Sequence, residues 1–164
     1  MQDLEIAKKR LNEKRLTLSI VKNGEIIFEN VSNGISGFLE AIEKFGDGLE
    51  GTSVADRVTG KAIEKFGDGL EGTSVADRVT GKAIALLCVY AKVKAVYAII
   101  LSKGAKSVFE KHAVYHEWEE LVENILDINK AGICPFEKMA TEISNPKDAY
   151  RKLKALQNSL KHGR

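Results

Sequence analysis

Apolar residues recur at helical spacing in the first stretch of the chain. Leu4, Ala7 and Leu11 sit among charges, which predicts an amphipathic helix over Asp3–Arg15. The period then drops to two. LTLSIVKNGEIIFENV holds two alternating, β-branched runs on either side of Asn23-Gly24, the signature of a hairpin closed by a type I′ turn. Ile35, Phe38, Leu39, Ile42 and Phe45 return to helical spacing and predict a helix over Gly34–Phe45. The most apolar run, Ala83–Leu101, is broken by Lys92 and Lys94 and ends β-branched. It reads as a buried helix over Thr80–Ala91 followed by a buried strand over Ala95–Leu101, not as a membrane span. Ser102 is placed to cap a helix that turns Ala105, Val108 and Phe109 inward. Val114–Trp118 alternates as a strand. CPFEKMATEI predicts a helix with Pro135 in its first turn, which Asn145-Pro146 ends. A final helix carries Tyr150, Leu153, Leu156 and Leu160 on one stripe.

A hairpin followed by alternating helices and strands implies an α/β fold, with a mixed sheet covered on both faces by helices. Residues 1–146 are expected to form that domain, and 147–164 a basic amphipathic helix appended to it. One segment is written twice. Ala41–Lys61, AIEKFGDGLEGTSVADRVTGK, is identical to Ala62–Lys82. Repeat architectures use diverged units, usually three or more. Two perfect copies with no continuation point to a tandem duplication inside one domain. The first copy completes the helix before it, and the second leads into the apolar helix after it. The second copy is therefore expected to be the functional one. Near the junction, VADRVTGKAIEKF would give an extra short helix with Val58, Ala62, Ile63 and Phe66 on one side.

Composition narrows the function classes. Of 164 residues 44% are hydrophobic and 29% charged, with a net charge of only +2. This argues against a dedicated nucleic-acid binder, which would be strongly basic. The last helix concentrates Lys147, Arg151, Lys152, Lys154, Lys161 and Arg164, and reads as a solvated face opposite its leucines. Cys88 and Cys134 are the two cysteines, too few for a disulfide framework, so a cytoplasmic location is expected. The first fifteen residues lack the apolar core of a secretory signal. Homo-oligomerisation is left open.

Several residues carry candidate chemistry. Gly81-Lys82 precedes Ala83 and lacks the spacing of a phosphate-binding P-loop. A glycine and a lysine at a helix start still suit an anion, through exposed N–H groups and positive charge. Asp77 reads as a cap, a general base or a hydrogen-bond acceptor. Cys134 at a helix start has its thiol where the helix dipole favours thiolate, three residues before Glu137. His112 and His116 are four apart but straddle a helix-strand boundary, and the cysteines are not spaced for a metal. No metal site and no cofactor are expected. The acidic residues Glu117, Glu119, Glu120 and Glu123 read as a solvated face.

VADRVTGKAIALL and ICPFEK, with the order of elements around them, resemble a family of small prokaryotic proteins known as domain-of-unknown-function family 1893. The likeness spans most of 16–143, less one copy of the repeat. It implies a cytidine-deaminase-like, three-layer α/β/α fold, and Asp77, Gly81, Lys82, Cys134 and Glu137 as the lining of a pocket at helix N-termini. Zinc deaminases need H-x-E and P-C-x-x-C, and neither occurs here. The expected function is binding of a small anionic or nucleotide-like ligand without zinc. Two alternatives stand beside it: a cysteine-dependent enzyme using Cys134 with Asp77 or Glu137, and an engineered sequence duplication with no function of its own. Asp56 and Lys61 would be the first copy's unused counterparts of Asp77 and Lys82.

Overall fold

Asn23 and Gly24 both adopt positive φ, 52° and 81°, as a type I′ turn requires. They join β1 (Leu18–Lys22) to β2 (Glu25–Asn30) in an antiparallel pair with a bulge at Ile20/Val21. The structure is a computed structural model, and it describes residues 1–32, 34–45 and 69–162. Ahead of the hairpin lies α1 (Gln2–Glu13), whose Leu4, Ala7 and Leu11 are fully buried. Asp3 ties helix and hairpin together, since its carboxylate accepts the N–H groups of Asn23 (3.0 Å) and Gly24 (2.8 Å).

The remaining elements run α2 (Ser36–Phe45), β3 (Ser74–Thr80), α3 (Lys82–Tyr90), β4 (Ala95–Ser102), α4 (Lys103–Lys111), β5 (Tyr115–Val122), α5 (Pro135–Thr141), a short 3-10 turn (Pro146–Asp148) and α6 (Ala149–His162). The strands form one mixed five-stranded sheet in the order β2-β1-β3-β4-β5. β1 pairs antiparallel with β2 and β3, whereas β3, β4 and β5 are parallel. Two apolar clusters fill the faces. Leu4, Ala7 and Leu11 of α1 meet Val21, Ala76, Ala95 and Tyr97 on one side. On the other, Leu18, Ile20, Val75, Val96 and Ala98 meet Phe38 and Leu39 of α2, Leu87 of α3, Phe109 of α4, Ala140 of α5 and Leu153 of α6. The arrangement is a three-layer α/β/α sandwich.

Sequence expectation and structure agree on the helix of α1, the hairpin, α2, β4, and the Ser102 cap, whose Oγ accepts the Ala105 N–H at 3.1 Å. Agreement fails at the centre. Thr80 was expected to open the α3 helix, with a cap just ahead of it among the readings of Asp77. Instead Ser74–Thr80 is the middle strand of the sheet, and α3 begins at Lys82 after the extended N-cap Gly81. Asp77 lies within that strand, opposite Leu18 and Ala98, and cannot cap α3. A strand with neighbours on both edges and helices on both faces tolerates small and polar residues where space is tight, so Ala76, Asp77 and Arg78 hide its β character. β5 also runs further than expected, to Val122, and carries Glu117, Glu119 and Glu120 within the strand. In α6 the buried stripe is Ala149, Leu153 and Gln157, while Leu160 is 39% exposed.

Ala41–Phe45 of the first copy completes α2. Residues 69–82 of the second copy supply the turn before β3, β3 itself and the start of α3. The short helix expected within Val54–Phe66, together with Asp56 and Lys61, lies outside the described residues.

Candidate functional site

A helix start leaves several N–H groups without partners inside the helix. At the start of α3 one of them, Ala83 N–H, is taken by a carboxylate from another helix: Glu137 Oε1 accepts it at 3.2 Å. Glu137 belongs to the first turn of α5, where Cys134 is the N-cap and Pro135 the first helical residue. The contact depends on glycine. A Cβ on Gly81 would lie 2.3 Å from Glu137 Oε1 and 2.9 Å from Ile125 Cγ1, inside contact distance. Only a bare α-carbon lets the carboxylate settle onto the turn between β3 and α3. Glu137 is 6% exposed, and no second partner among the described residues engages its other oxygen.

Above this contact is a cavity of about 620 Å³. Ile125–Ile128 forms one wall. It is held by a small antiparallel turn in which Cys134 N–H donates to Ile125 O (3.0 Å) and Asp127 N–H to Gly132 O (2.8 Å). Opposite walls come from Ile35 before α2, Val79 of β3, Phe136 of α5 and Leu160 near the end of α6. Among the described residues the lining includes two carboxylates, Glu137 and Asp127, and no lysine, arginine or histidine. Asp127 is engaged locally, its Oδ1 accepting the Ala131 N–H at 3.0 Å.

The residues singled out in the sequence divide between two places. Gly81, Cys134 and Glu137 meet in the cavity lining. Asp77 and Lys82 lie outside it. The aliphatic stem of Lys82 runs beside the start of α4, where a Cβ on Gly104 would meet it at 3.4 Å. Asp77 is buried under α3, accepting the Thr80 hydroxyl at 2.7 Å. Burial pushes its carboxyl up to about 7, against the lowering effect of Thr80 and the backbone N–H groups of Val79 and Arg78. The Cys88 thiol of α3 is also pushed up, by burial and then by the charge of Asp77. Asp127, Ile125 and Phe136 escaped sequence reasoning. The turn-forming run DINKAG was the available signal for Asp127, but a turn alone does not say what it encloses. Among the described residues, no group of three or more histidine, cysteine, aspartate or glutamate side chains could hold a metal, and no helix is long and apolar enough to cross a membrane.

Fold and site together define a three-layer α/β protein with an acid-floored cavity at the start of its central helix. The family model described as a domain of unknown function, DUF1893, matches residues 63–156. The chain belongs to this family. The match begins inside the second copy of the repeat. Among solved structures, the chain is similar to a DUF1893 family protein from Thermotoga maritima, at 25% identity and a TM-score of 0.72, covering 93% of this chain and 88% of that one. No match was found among curated proteins.

Proposed function

We propose that this chain is a small-ligand-binding protein whose ligand lodges in the cavity over the start of α3. One observation carries the reading: a mostly apolar cavity has a deeply buried carboxylate set into its floor. Ligand sites are typically concave and apolar, with a few placed polar groups that fix orientation. The scaffold is read as deaminase-like but without zinc. In support, α3 and α4 begin beside each other after the parallel strands β3 and β4, and the chain has neither H-x-E nor P-C-x-x-C. Of the anionic and nucleotide-like ligands, the lining favours the base or nucleoside portion. A phosphate would find no cationic side chain among the described lining residues and would meet Glu137 at the helix start. The two free cysteines fit a cytoplasmic setting. Ligand-detected NMR with nucleosides and nucleotides, paired with thermal shift, tests the reading. Binding that perturbs the Ala83 and Ile84 amides is expected, and silence across the panel would sink it.

A second reading rests on Cys134, which shares the cavity with Glu137 while Asp77 does not. A cysteine nucleophile there would have Glu137 as its proton partner. Its expected mark is iodoacetamide alkylation near pH 7 well above the rate of an ordinary free thiol. An ordinary rate removes it.

A further inference from the structure

We infer that the group seated on Glu137 is an amidine-type edge, two N–H donors on one planar carbon, carried by an apolar body. This rests on the ligand-binding reading above and specifies its chemistry. Glu137 is nine-tenths buried, yet Ala83 N–H is its one hydrogen-bond partner among the described residues. A carboxylate accepts at about four lone-pair sites, so Oε2 and part of Oε1 stay available. An oxygen left open to the cavity can accept from a ligand without losing a protein partner. The group is also held in place. Its close approach to Gly81, where a Cβ would lie 2.3 Å from Oε1, and the Ala83 N–H bond hold the carboxylate against the β3–α3 turn. A fixed planar acceptor is matched best by a planar pair of donors, the geometry that makes bidentate pairs strong. Asp127 adds a second acceptor to the wall, and among the described residues no basic side chain lines the cavity, a setting that disfavours free phosphates and carboxylates. Ile125, Leu126, Ile128 and Phe136 supply contact for the apolar body.

The test titrates the wild-type protein, followed by amide NMR, with benzamidine and with benzoate, which carries a carboxylate on the same ring. Benzamidine is expected to shift the Ala83, Ile84 and Glu137 signals and to bind at least tenfold more tightly than benzoate. Glu137→Gln, checked for folding by its amide spectrum, is expected to weaken benzamidine at least tenfold. The comparison of the two probes on wild-type protein stands even where that variant fails to fold. Benzoate binding at these amides as tightly as benzamidine would overturn this inference and leave the cavity a ligand site. Silence from both probes and from every nucleoside would overturn both.

Discussion

Asp77 shows how a single buried acid can set the pH response of the molecule. Its carboxyl has an ordinary value of 3.8 when the chain is unfolded and is raised to about 7 in the fold. Below 3.8 both states hold the proton and the group is neutral to stability. Between 3.8 and 7 the folded state holds a proton that the unfolded state has released, so stability falls as pH rises. Above 7 the full penalty is present, on the order of 4 kcal/mol. Asp77→Asn is therefore expected to gain stability over wild type as pH climbs from 5 to 8. Urea unfolding across that range checks it, and parallel curves for the two proteins would refute it. At Gly81 the expectation is steric. Gly81→Ala places a Cβ 2.3 Å from Glu137 Oε1 and should cost about 1–3 kcal/mol. In a Glu137→Ala background the same change should cost less, because the obstructing carboxylate is gone. A double-mutant cycle reads the coupling directly, and strictly additive costs would mean the contact carries no energy.

Elements were legible where one local signal dominated. Ser102 illustrates this, since an N-cap type at the end of an apolar run forecast a bond that forms at 3.1 Å. Ser102→Ala should cost about 0.5–2 kcal/mol in thermal or urea unfolding, as loss of a helix cap does. No measurable change would show that another group satisfies the Ala105 N–H. β3 was illegible for a physical reason. Its residues SVADRVT answer to their places in the sheet, with Ala76 small beneath α1, Arg78 Nε donating to the Leu16 carbonyl at 2.9 Å, and Asp77 closed on Thr80. No local period records those demands. The candidate site was legible to the same degree. Gly81, Cys134 and Glu137 stood out as residue types at helix starts. Their meeting depends on α5 packing against the start of α3, a contact between residues 54 apart in the chain. Asp77 and Lys82 were grouped with them through the family resemblance, which does not say on which side of the β3–α3 turn each side chain falls.

At the scale of the molecule, the repeat is a question about connectivity. Removing 41–61 or 62–82 yields the same shorter chain, because the two segments are identical. The described fold takes AIEKF of α2 from the first copy and SVADRVTGK from the second, with one full unit to spare between Phe45 and Ser74. In the single-copy chain, the connection 46–73 shrinks to a quarter of its length while every described residue in α2 and from β3 onward keeps a counterpart. For a free connection, each halving of its length would favour closure by roughly 0.6 kcal/mol, and on chain entropy alone a gain of about 1 kcal/mol is expected. That gain corresponds to a melting temperature a few degrees higher, about 2–4 °C for a domain of this size. Differential scanning calorimetry of the two chains measures it, with the Ala83, Ile84 and Glu137 amide signals as a check that α3 still meets α5. A single-copy chain that melts lower, or loses those signals, would mean that the spare unit contributes contacts of its own. A chain that melts higher with the signals intact would mean that the fold needs one copy, and that the seat of Glu137 on Gly81 is built by whichever copy is joined to ALLCV.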